Sequence, residues 1–118
     1  MNDKEYHWYL KNRFPVMAFS SQAKGMFSKA IEQGIESLNN KIVDRFLCER
    51  NINKIEWVRR YCEKHNISPA TAILSFINSN PVPAASIIGC SNLDQLYDSM
   101  KDSDFTMSIE DIIELYRI

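Results

Sequence analysis

The spacing of apolar positions divides the chain into two short apolar runs and several longer stretches of helical repeat. Ala84-Ala-Ser-Ile-Ile88 is a run with paired isoleucines bounded by Pro83 and Gly89, which predicts a buried parallel strand. Gly89-Cys90-Ser91-Asn92 is a tight turn, after which Leu93, Leu96, Tyr97 and Met100 return at helical spacing. Ser91 or Asn92 can cap that helix, and Asp94 falls in its first turn. Phe14-Pro-Val-Met-Ala-Phe19 predicts a second buried strand, with Pro15 near its start where proline is tolerated. It runs into Ser20-Ser-Gln-Ala-Lys-Gly25, a small polar loop of the kind that lets a ligand approach the backbone.

Helices account for the rest. Residues 1–13 predict a short amphipathic helix starting near Asp3, with Trp8 and Tyr9 as packing residues. Met26, Phe27, Ala30, Ile31 and Ile35 have some helical spacing, but Gly34 and Asn39-Asn40 interrupt it. Ile42, Val43, Phe46 and Leu47 suggest a further short helix, so residues 26–50 read as a long, weakly patterned excursion. From Asn51 the pattern sharpens: Ile52, Ile55, Val58, Tyr61 and Cys62 share one helix face, with Lys54, Glu56, Arg59, Arg60 and Glu63 on the other. His65-Asn66 ends this helix, with His65 as a partner for its C-terminal end. Ser68-Pro69 opens the next as N-cap and first helical residue, and its body, residues 70–77, is apolar almost all round and expected to be buried. Ser108 with Asp111 forms a capping box before a last helix whose apolar face is Ile109, Ile112, Ile113 and Tyr116.

Strands alternating with helices imply a parallel sheet with its ligand end at the strands' C-terminal edge. Two apolar strands expect cover on both faces and leave unpaired edges, so the pattern has the texture of part of a larger α/β protein. The turn at 89–92 opens on a helix whose first N–H groups lack intrahelical partners, which suits an anion; an ordinary capped strand–helix unit satisfies the same residues.

Composition narrows the function classes. At 118 residues, 45% hydrophobic and 25% charged, the chain is one soluble domain's worth, here taken as a single segment over residues 1–118. A net charge of -1 gives no case for nucleic acid or an anionic membrane. No apolar run approaches the roughly 20 residues a bilayer span needs. Met1 to Trp8 is polar and acidic, unlike a signal peptide. Cys48, Cys62 and Cys90 have no CxxC pairing, so they read as reduced thiols of a cytoplasmic protein, without a disulfide framework or a metal site.

With these residues in place, the chain resembles the C-terminal part of an aldo/keto reductase. FPVMAFSSQAKG (14–25) is similar to that family's seventh strand and following loop, Asn53–Asn80 to the seventh helix region, and IIGCSNLDQLYDS (87–99) to the eighth strand and its G-x-S-x-x-x-Q-L segment. The resemblance implies an α/β fold, a helix-rich partial (β/α)8 TIM barrel made of the last two strands and their helices. A whole barrel of this kind needs about 250 residues.

The resemblance also implies a nicotinamide cofactor, NADP(H) with NAD(H) as the alternative, bound at the strands' C-terminal ends. Phe19 falls where an aromatic ring stacks on the nicotinamide. Ser20, Ser21, Gln22, Ala23, Lys24 and Gly25 would line the pyrophosphate. Ile88, Gly89 and Cys90 would lead into the second contact, where Ser91, Asn92 and Gln95 reach the adenosine phosphate and Asp98 and Ser99 the adenine. Ser21-Gln22 replace the usual Pro-Leu, Gln95 stands where some members have Arg, and Asp98-Ser99 shorten a usual Glu-Asn. The family's Asp, Tyr, Lys and His tetrad comes from its first four strands; Asp3, Tyr6, His7 and Tyr9 have matching types here without strands to place them. The expectation is therefore a cofactor-binding part of an oxidoreductase, inactive alone. The alternative is a non-enzymatic subunit that docks on a complementary half or on itself.

Overall fold

The computed structural model describes residues 1–118 and contains seven α-helices and one two-stranded parallel sheet. Helix α1 (Asp3–Asn12) is fixed at its start by Asn2, whose side chain accepts from the Glu5 N–H while Glu5 reaches back to the Asn2 N–H. Its end turns through Arg13 in the left-handed region, which aims Phe14 and Pro15 into strand β1 (Val16–Ala18). Trp8, Tyr9 and Phe14 pack on one another at 5.2 to 6.1 Å, as the packing expectation for Trp8 and Tyr9 requires.

Residues 26–50 are not an excursion. Helix α2 (Met26–Gln33), a 3₁₀ turn (Ile35–Ser37) and helix α3 (Asn40–Phe46) follow in close order. Met26, Ala30, Leu38, Ile42 and Ile55 form a buried cluster of their own. The interruptions at Gly34 and Asn39 are the joints between these elements: Gly34 takes φ +88, and Asn39 caps α3 by accepting from the Ile42 N–H.

Helix α4 (Glu49–His65) and helix α5 (Pro69–Asn78) form the centre of the fold, packed on each other and on α2. Ser68 accepts from the Thr71 N–H with Pro69 in the first turn, and residues 69–75 of α5 are buried throughout. The main core joins Trp57, Val58, Tyr61, Cys62, Ala72 and Ile73 to Met107, Ile112 and Leu115. Trp57 lies off the predicted face of α4 yet is buried and stacked on Tyr61 at 4.8 Å, whereas Ile52, placed on that face, is exposed. The last turns of α4 pack against α5 and the C-terminal helix, which bury Trp57, while in its first half the cluster with α2 and α3 buries Ile55 and leaves Ile52 outside. Asn66 in the left-handed region ends α4, its N–H bonding to the Cys62 carbonyl. His65 is therefore not the cap partner; its ring packs at 4.3 Å on Tyr61 and 5.7 Å on Phe105.

Strand β2 (Ala84–Ser86) pairs in parallel with β1, Val16 opposite Ala84 and Ala18 opposite Ser86. Val16 N–H bonds to the Pro83 carbonyl and Ile87 N–H to the Ala18 carbonyl, closing the ladder at both ends. Both strands are shorter than their apolar runs, and neither is buried. Val16, Ala18, Ala84 and Ser86 are half-covered on the side of α5, while Met17 and Ala85 face solvent because no second layer lies over them. Helix α6 (Leu93–Met100) packs on α5 through its other side and leaves Leu93, Leu96, Tyr97 and Met100 exposed. Helix α7 (Ile109–Arg117) begins at Ser108, whose hydroxyl accepts from the Asp111 N–H and donates to the Asp111 carboxylate at 2.7 Å. Its buried residues are Ile112 and Leu115; Ile109, Ile113 and Tyr116 of the predicted face are exposed.

Candidate functional site

The C-terminal ends of β1 and β2 open into the two segments that carry the candidate residues. After β1 the backbone turns through Ser20, Ala23, Lys24 and Gly25, all in the left-handed region at φ 47 to 76. Only Gly25 is free of a Cβ penalty there, so the loop holds three side-chain-bearing residues in a conformation they disfavour. A 3₁₀ turn over Ala23–Gly25 then hands the chain to α2. Phe19, the last residue before this loop, has its ring open to solvent.

Two hydrogen bonds join this loop to the second segment. Ser21 Oγ donates to the Ile87 carbonyl at 3.0 Å, and Gln22 Nε2 donates to Ser99 Oγ at 3.0 Å. Residues 20–22 and 87–99, distant in the chain, are thus one surface. Ser99 is buried in this contact, so among the candidates it serves as the internal anchor of α6.

At the start of α6, Asn92 is the cap: its Oδ1 accepts from the Gln95 N–H at 2.9 Å. Gln95 Oε1 in turn accepts from the Ser91 N–H at 2.9 Å. Both side-chain oxygens are therefore spent on backbone donors, which leaves their NH₂ groups and the N–H groups of Leu93 and Asp94 to face outward, since a helix's own ladder does not use its first donors. Asp98 is held by Lys101, Nζ to Oδ1 at 2.8 Å, and this hydrogen bond raises the Lys101 ammonium above its ordinary value. Lys101 carries no motif signal; only its i,i+3 spacing from Asp98 marks it in the sequence. Ile88 and Cys90 are half-covered, and Gly89 and Lys24 are exposed.

Beside β2 a cavity of about 360 Å³ lies between α5, β2 and α6, lined in part by Ile88, Ser99 and Met100. Asp102, Ser103 and Phe105 close its far side, positions at which the sequence shows no pattern.

With the Ser21 hydroxyl spent on the Ile87 carbonyl, the donor set is the hydroxyls of Ser20 and Ser91, the remaining amide N–H groups of Gln22, Asn92 and Gln95 and one ammonium at Lys24, which suits an anionic ligand with phosphates. No group of three or more His, Cys, Asp or Glu side chains is placed to hold a metal ion. The residue types of a carbonyl-reducing tetrad are occupied elsewhere: Tyr6 donates to Asn80 at 3.3 Å, His7 Nδ1 lies 2.6 Å from the Asp3 carbonyl, and Asp3 accepts from Tyr116 at 3.2 Å. No helix is long and apolar enough to cross a membrane.

A comparison with curated proteins finds no match. The model of the aldo/keto reductase family, a family of oxidoreductases that use nicotinamide cofactors, matches residues 6–118, from α1 through both strands to the last helix. The chain belongs to the aldo/keto reductase family.

Proposed function

We propose that this chain is the cofactor-binding part of an NADP(H)-dependent aldo/keto reductase, its two strands corresponding to the last two of a (β/α)8 barrel. The observation that carries this reading is the joining of the 20–25 loop to α6 by Gln22–Ser99 and Ser21–Ile87 at the C-terminal ends of parallel strands. Parallel α/β sheets bind ligands at that end.

When bound, the nicotinamide supplies the hydride exchanged with a carbonyl or alcohol. The chain's own residues bind and orient. Phe19, with its ring free, offers a stacking face for the nicotinamide. Within the Ser20 to Gly25 loop, the Ser20 hydroxyl, the remaining Gln22 amide N–H and the Lys24 ammonium are the donors for the pyrophosphate. Ser91, Asn92 and Gln95 present the outward donors of the α6 start to the adenosine phosphate, with NAD(H) as the alternative because none of these three carries a positive charge. Asp98 and the Gln22–Ser99 pair border the adenine. A proton donor for the carbonyl oxygen would come from outside residues 1–118.

Titration of the purified chain into NADPH, followed by cofactor fluorescence with NADH in parallel, tests this. Saturable binding weakened by Ser91→Glu and Gln95→Glu is the expected result. A folded sample that binds neither cofactor would overturn it and favour an interaction subunit, a second reading supported by the exposed apolar side of α6.

A further inference from the structure

The cavity of about 360 Å³ between α5, β2 and α6 falls within the roughly 300–1,000 Å³ range of small-molecule sites. It is open because the residues that face it are small where a helix packs on a strand: Ser75 on α5, and Ala84 and Ser86 on β2. Thr71, Leu74 and Ser75 are buried at its floor, and the less covered Met100, Asp102 and Phe105 form its outer wall. Most of its hydroxyls are already committed. Thr71 Oγ1 pairs with Ser68 Oγ at 3.0 Å, Ser75 donates to the Ala72 carbonyl at 2.9 Å, and Ser86 donates to Asn78 Oδ1 at 3.0 Å. Two donors stay unused: the Asn78 NH₂ group and the O–H of Ser99, whose oxygen accepts from Gln22. Asp102 is the one charged residue of the lining, and its carboxylate makes no ion pair, because the adjacent Lys101 is held by Asp98 at 2.8 Å.

We propose that this cavity binds a small primary ammonium with an apolar body and an oxygen acceptor. The ammonium pairs with Asp102, a charge-assisted contact at a half-buried wall. The apolar body lies against Leu74, Ile88, Met100 and Phe105, and the oxygen accepts from Asn78 or Ser99. The same accounting disfavours other occupants. An anion would meet the Asp102 carboxylate with no cation in the lining to offset it. A hydrocarbon would leave Asp102, Asn78 and Ser99 desolvated without partners. A polyhydroxyl ligand would find most of the hydroxyls already bonded within the protein. The cavity shares Ile88 and Ser99 with the candidate cofactor surface, but its charged group, Asp102, lies outside that surface, and the inference does not rest on the cofactor reading.

Titration of the full chain with tyramine, 4-ethylphenol and 3-(4-hydroxyphenyl)propionate, followed by backbone amide NMR shifts, tests it. These probes share a phenol and differ in carrying a positive charge, none or a negative one. The expected result is saturable tyramine binding with shifts in α5, β2 and residues 99–105, affinity for 4-ethylphenol weaker by about tenfold or more, and no binding of the propionate. Asp102→Asn should lower tyramine to the level of 4-ethylphenol and leave an NADPH titration unchanged. Tyramine binding by a chain that ignores NADPH would support this site and overturn the cofactor reading alone. Ser75→Leu, which fills the cavity, should abolish the tyramine shifts in a chain that still unfolds cooperatively. If that variant fails to fold, the Asp102→Asn comparison decides, since Asp102 is only half-buried. Equal affinity for the three probes, tyramine shifts outside these elements, or a folded chain that binds no tyramine would overturn the inference.

Discussion

The Gln22 side-chain amide donates to the Ser99 hydroxyl at 3.0 Å, a bond between residues 77 positions apart. It ties the loop after β1 to the buried side of α6, and with the Ser21–Ile87 bond it joins the two segments of the candidate site. Each of Gln22→Ala and Ser99→Ala should cost about 1 kcal/mol of stability, and the double variant clearly less than the sum of the two. Urea unfolding of the three variants measures this; strict additivity would show that the bond contributes nothing.

Met26 is almost fully buried in the cluster formed by α2 and α3, while Ile52 is exposed on α4. Met26→Ala should destabilise by about 2–5 kcal/mol through lost burial and the cavity left behind. Ile52→Ala should stay within about 0.5 kcal/mol. Thermal unfolding of the two side by side tests whether residues 26–50 are core.

Ser108 holds the start of α7 through its hydroxyl. Ser108→Ala should cost about 1 kcal/mol and Ser108→Gly only a few tenths, because glycine leaves the helix end open to water. Melting temperatures in that order, alanine below glycine, are the expected outcome.

Stability should be level through neutral pH and fall in alkali. Burial, with Glu63 beside it, pushes the Cys62 thiol from 9.0 up to about 11. Burial and the nearby Asp111 push the Tyr61 phenol from 10.0 up to about 12. Below these ordinary values both groups are neutral whether the chain is folded or not. Above them the unfolded chain ionises first, so stability declines from about pH 9 until the folded groups also ionise near 11 and 12. Cys62→Ala should delay the onset to about pH 10, read from unfolding midpoints across that range.

The helices were legible in the sequence where a cap and a period coincide. Ser68-Pro69 and Ser108 mark starts that the structure reproduces, and the chemistry of their side chains is local. Burial was less legible because it depends on what lies opposite. Leu93, Leu96, Tyr97 and Met100 have the period of a buried face, yet nothing covers them; Trp57 breaks the expected face of α4 and is buried by α7. The two strands were recognisable from Pro15 and Pro83 onward, but their cover was not, since apolar content says what a strand prefers and not what it receives. At the site, the Asn92 cap follows from residue type and position, whereas the Gln22–Ser99 bond is tertiary and has no local signature.

The packing of the aromatic residues has a practical consequence. Of the two tryptophans, Trp57 lies flat on Tyr61 inside the core, and Trp8 stands half open beside Phe14 at the entry to β1. Intrinsic fluorescence of this chain is therefore a two-colour optical record, in which Trp57 emits towards the blue and reports melting while Trp8 emits towards the red and reports whatever comes to cover the start of the sheet.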